Sequence, residues 1–160
     1  MNTKKMTPSL LLCILCLAFV STSCNNSTAN SENTLLQEWT GPYGGVPAVD
    51  KMEVADIQSA VEYGMEENLK EIDAIANNKD APTFENTIEA MERSGAYLDR
   101  VFSYYGILSN NMSSPEFREV QSVLAPKLSE FYSKINQNEA LFKRIKTVYD
   151  NAQENPLESD

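Results

Sequence analysis

Histidine is absent from this chain, and that absence excludes more chemistry than any residue present suggests. Without imidazole there is no Ser-His-Asp or Cys-His nucleophile system. The usual zinc ligand sets are also missing, as is any di-metal bundle of the Glu-x-x-His kind. Cysteine is nearly as scarce, with Cys13, Cys16 and Cys24 all near the start. Basic residues are outnumbered, 13 Lys and Arg against 23 Asp and Glu, for a formal charge of −10. Nucleic-acid binding rests on neutralising phosphates with Lys and Arg, so no nucleic-acid partner is expected. The one basic cluster, Lys143, Arg144 and Lys146, reads as a solvated helix face. No strand pattern appears anywhere.

Long apolar runs are missing too, with one short exception. Leu10 to Val20 (LLLCILCLAFV) holds eleven apolar residues, where a spanning helix needs roughly 20. Lys4 and Lys5 precede it, and Ser21, Thr22, Ser23 and Cys24 follow. A basic start, a short apolar core and small residues before a cut mark a secretory signal peptide. The cysteine directly after the small residues resembles a bacterial lipobox, although Ser21 stands where leucine is usual. That resemblance implies cleavage between Ser23 and Cys24 and lipid on the Cys24 thiol. Residues 1–23 are then a lipoprotein-type signal peptide and 24–34 a polar tether. The expected location is the bacterial cell envelope, lipid-anchored and periplasm-facing. Cys13 and Cys16 would be discarded, so their C-x-x-C spacing carries no redox argument. Removal takes away two lysines and no acid, moving the formal charge from −10 to −12.

What remains reads as an irregular arm and then helices. Residues 35–50 hold Trp39, Tyr43, three glycines and two prolines. Such a stretch cannot be a helix, yet it is too aromatic for a free linker. It is expected to lie pinned on a larger body with Trp39 buried. Asp50, three before Glu53, has capping-box spacing. From Val54 to Ala76, Val54, Ile57, Val61, Met65, Leu69, Ile72 and Ile75 trace one helix face. Thr83 is an N-cap for the stretch taken as central, about 84–111. There Phe84, Ile88, Met91, Gly95, Leu98, Phe102, Tyr105 and Met112 draw a seam that Val101 and Leu108 widen. Gly95 on that seam costs about 1 kcal/mol of helix propensity, so either another element packs closely there or the helix breaks. Ser113, Ser114 and Pro115 start a third helix to about 136, with a kink expected at Pro126. Asn138 can cap a last one through Leu141, Ile145, Val148 and Tyr149. The helical region is 51–152, followed by a polar tail at 153–160. The fold class is all-α, about four antiparallel helices.

Little in these helices suggests catalysis. The acid pairs Glu62 and Glu66, and Glu67 and Glu71, have helical spacing, and a solvated face outweighs general acid–base work. Gly41-Pro42-Tyr43-Gly44-Gly45 lacks the lysine and Ser/Thr of a phosphate loop. No catalytic and no metal-ligating residue is predicted.

Three blocks carry a family resemblance. They are the W-x-G-P-x-G-G-x-P arm (Trp39, Gly41, Pro42, Gly44, Gly45, Pro47), the T-F-E-N-T block from Thr83 to Thr87 with Ser94-Gly95 after it, and Ala125-Pro126-Lys127-Leu128. From about Leu35 to Asp150 the chain resembles the N-terminal part of the thimet oligopeptidase and peptidyl-dipeptidase family of zinc metallopeptidases, most of all its bacterial peptidyl-dipeptidase (dipeptidyl carboxypeptidase) branch. The resemblance implies a large helical enzyme around a deep channel. In it, zinc is held by an H-E-x-x-H helix and a further glutamate, and C-terminal dipeptides are released from oligopeptides. This chain has no residue for that centre. It is therefore expected to be an N-terminal fragment or truncated relative, inactive alone, whose partners are a missing C-terminal catalytic domain and the membrane. The alternative is a free-standing helical lipoprotein that binds peptide or protein without cleaving it.

Overall fold

Helix α1, Val54–Ala76, is the element the others pack against. It buries two adjoining sets of residues. Ile57, Val61, Met65, Ile72 and Ile75 carry the bulk, and the small or polar Ala60, Gly64, Asn68 and Ala76 are buried as well. The small ones let a neighbour come close, since a Cβ on Gly64 would lie 2.9 Å from the Leu98 Cα. The computed structural model describes residues 33–41 and 45–154. The signal peptide, Cys24, most of the tether, Pro42, Tyr43, Gly44 and the tail from 155 lie outside the described residues. Among the described residues there is no strand, and the fold class is all-α as expected. No described helix is long and apolar enough to cross a membrane.

The arm departs from expectation by holding two short 3-10 turns, Thr34–Leu36 and Val49–Lys51. Each needs only three residues, which glycine and proline elsewhere in the arm do not prevent. Asn33 caps the first turn by accepting from the Leu35 amide at 3.0 Å. Its own amide reaches the Asp56 carbonyl at 3.2 Å, pinning the arm to α1. Leu35 and Leu36 are thereby buried. Asp50 forms no capping box, because it sits inside the second turn while Glu53 takes the N-cap of α1 without a side-chain bond.

The expected central helix over about 84–111 is broken, and α1 is the hub instead. Phe84–Glu89 is π-helical and runs into a single α turn, α2, Ala90–Glu92. After Arg93 and Ser94, Gly95 turns the chain at φ +85°, and α3 follows, Ala96–Asn110. Both alternatives raised by Gly95 hold: the helix ends there, and a Cβ would lie 3.2 Å from the Asn68 amide nitrogen. The Gly95 amide donates to Glu71 Oε2 at 2.6 Å. Breaking the helix resets its phase. On α3 the buried set becomes Leu98, Val101, Tyr104 and Leu108, while Phe84 and Met112, the ends of the expected seam, are 55% exposed.

Helix α4, Pro115–Asn136, starts where Ser114 Oγ accepts from the Phe117 amide at 3.1 Å. It continues through Pro126. Both Pro126 and Ser122, whose carbonyl loses its helical donor, are exposed. Phe117, Leu124 and Phe131 bury its inner side. Helix α5, Glu139–Glu154, is capped by Asn138 Oδ1 on the Leu141 amide at 3.0 Å. A main core gathers α1, α3, α4 and the arm, and a smaller one joins Ile72, Ile75 and Ala76 to Leu141.

Candidate functional site

Where the arm crosses α3, the sequence places aromatics against a cation. Tyr104 is fully buried, and its hydroxyl accepts from the Ala48 amide at 2.9 Å. Trp39 stands edge-on to it, ring centres 6.3 Å apart at 83°. The indole is half-buried, not buried as expected, although its Nε1 is shielded from solvent without a hydrogen-bond partner. Gly45 explains why the arm needs glycine beside this tryptophan. At φ +91°, a Cβ would lie 2.5 Å from the Trp39 carbonyl carbon.

Arg100 completes the junction by donating from Nη1 to the Leu36 carbonyl at 2.7 Å. Its guanidinium also lies 5.6 Å from the centre of the Tyr97 ring, within cation–π range. Tyr97 in turn meets Tyr63 edge-on at 5.4 Å. Burial, together with the nearby Glu67 charge, pushes the Tyr63 hydroxyl above its ordinary value. Between arm and α3 lies an open cleft of about 520 Å³, lined by Glu38, Trp39, Ala96, Asp99, Arg100 and Ser103. Its lining holds two acidic residues, Glu38 and Asp99, and one cation, Arg100, whose guanidinium is already engaged. Nothing there pairs a nucleophile with a base.

The acid pairs on α1 come apart into separate structural roles. Glu66 and Glu67 bind Lys70 at 2.9 and 2.7 Å. Glu71 serves Gly95. Glu62 links α1 to α4 through Lys127. Partial burial raises the Glu62 carboxyl, but hydrogen bonds from Lys127 and Gln58 and the Lys127 charge outweigh it, leaving the group below the ordinary carboxylate value.

The basic cluster also divides. Lys143 and Lys146 are exposed, within 3.9 Å of Glu139 and 2.6 Å of Asp150. Arg144 is only 6% exposed, which corrects its place on a solvated face. It donates to the Asn78 and Asp80 carbonyls at 2.7 and 3.0 Å and to Asn86 Oδ1 at 2.7 Å. A sign of this was present, because the step from Leu141 to Arg144 to Val148 follows the buried side of α5. Asn86 was missed as well. It holds the N3 position after Thr83, where a capping box puts Glu or Gln, and here it accepts from the Thr83 amide at 2.8 Å.

These residues do not fit the zinc centre that the resemblance implies. Histidine is missing from the whole sequence, and among the described residues no three of His, Cys, Asp and Glu gather as metal ligands.

No family model matches the chain. It is 32% identical over 119 residues, 74% of its length, to the dipeptidyl carboxypeptidase of Salmonella typhimurium. To the dipeptidyl carboxypeptidase of Escherichia coli it is 31% identical over 128 residues, 80% of its length. The matches span 17% and 19% of those two proteins. With most of its residues in these matches, the chain belongs to the peptidyl-dipeptidase, or dipeptidyl carboxypeptidase, family.

Proposed function

We propose that this chain is the N-terminal helical portion of an envelope-anchored zinc peptidyl-dipeptidase, an enzyme that releases C-terminal dipeptides from oligopeptides. In that reading its helices wall one side of the substrate channel. On the same reading the zinc and the water-activating glutamate belong to another part of the protein; the matches cover 17% and 19% of the relatives' length. The observation that carries the proposal is the identity to dipeptidyl carboxypeptidases in a chain without a single histidine. Cys24 supplies the anchor through its lipid.

Two preparations test it. The purified chain, lacking residues 1–24, should hold no stoichiometric zinc and release no dipeptide. A chimera in which it replaces the matched segment of the Escherichia coli relative should fold and release dipeptides. Zinc-dependent release by the chain alone would overturn the proposal, and a well-folded but silent chimera would count against the channel-wall role.

A second reading, a helical lipoprotein that binds peptide without cleaving it, has one observation in its favour. The helices close a core among themselves, with Ile57, Tyr104, Phe117 and Leu124 all fully buried. It calls for a stable monomer that binds oligopeptides by itself, which titration with a fluorescent peptide would show.

A further inference from the structure

We draw no further inference here: the strongest candidate, the open cleft between the arm and the first turns of α3, is lined by Glu38, Asp99 and an Arg100 whose guanidinium is already committed to the Leu36 carbonyl, and nothing in the structure identifies what would occupy it.

Discussion

Asn86 Oδ1 accepts a hydrogen bond from Arg144 Nη2 at 2.7 Å, tying the first turn of the π-helix to the middle of α5. The same oxygen accepts from the Thr83 amide and from the Thr87 hydroxyl, while the Asn86 amide donates to the Ala81 carbonyl. All the described partners of the buried guanidinium are neutral oxygens. The T-F-E-N-T block is thus a helix start and a docking point for α5 in one.

Removing that guanidinium should loosen the loop at 78–86 and the seat of α5 together. Arg144→Met keeps a similar stem but strips donors from three acceptors. With each hydrogen bond to a charged group worth about 1.5–3 kcal/mol, the loss should be at least about 2 kcal/mol. Asn86→Ala should cost a comparable amount. Asn86→Asp keeps the acceptor and adds a charge opposite the guanidinium. It loses the bond to Ala81 and sets a carboxylate oxygen against that carbonyl, so it should cost something, though less than the alanine change. Urea denaturation of the three variants checks the order. Equal losses for Asn86→Asp and Asn86→Ala would mean the contact with Arg144 contributes little.

How much of this was legible depends on how each feature writes itself into the chain. Helix α1 was readable to its bounds because its apolar period is unbroken from Val54 to Ile75 and Asn77 ends it. Its role as hub was not, since Ala60 and Gly64 add almost no hydrophobic signal, while Gly64 lets α3 approach at Leu98. The break at Gly95 stayed open between two outcomes because glycine suits both a crowded crossing and a left-handed turn, and here it serves both. Arg144 was misplaced because the exposed lysines beside it suggested one charged face, while periodicity alone put it inward. At the arm, the family motif was visible in sequence before its physical cause. For Gly45 that cause is its approach to the Trp39 backbone, a contact no spacing rule predicts.

Three glycines separate strain, crowding and mere flexibility. Gly95→Ala forces an L-residue to φ +85°, at roughly 1–2 kcal/mol, and crowds Asn68. Gly64→Ala drives a methyl to 2.9 Å from the Leu98 Cα, an overpacking cost of about 1–3 kcal/mol. Gly106 lies inside α3 with nothing within 4 Å of a Cβ. Gly106→Ala should therefore stabilise by about 0.5–1 kcal/mol. Thermal midpoints should fall, fall and rise in that order. A fall for Gly106→Ala would show that the open space is filled in solution.

Acid should weaken the contact between α1 and α4 in a defined direction. The Glu62 carboxyl in the folded chain sits below its ordinary value of 4.5. A group shifted down on folding contributes its stability in full above the unfolded value and loses it as pH falls through the folded one. The contribution is therefore present at neutral pH and drains away below about pH 4.5. The two side chains are 45% and 37% exposed, so the pair is worth only about 0.2–1 kcal/mol. Glu62→Gln should lower stability at pH 7 by that amount and flatten the acid limb of a stability–pH curve. An unchanged acid limb would remove Glu62 from the list of groups that respond.

The proposed lipid anchor leads to a direct prediction of where this protein resides. Under the proposed cleavage between Ser23 and Cys24, Cys24 would be the sole remaining thiol and would stand at the new N-terminus. One acyl chain gives only marginal membrane binding, whereas two or more hold a protein stably. In a bacterial host the full sequence should thus appear in the membrane fraction and resist a high-salt wash, because the attraction is apolar, not ionic. Intact mass should correspond to a chain beginning at Cys24 with a lipid adduct. Cys24→Ser should abolish that adduct whatever its fate in cleavage. An unmodified chain with a different N-terminus, recovered from the soluble fraction, would refute the anchor and leave the relation to dipeptidyl carboxypeptidases untouched, since that rests on sequence identity over 119 and 128 residues.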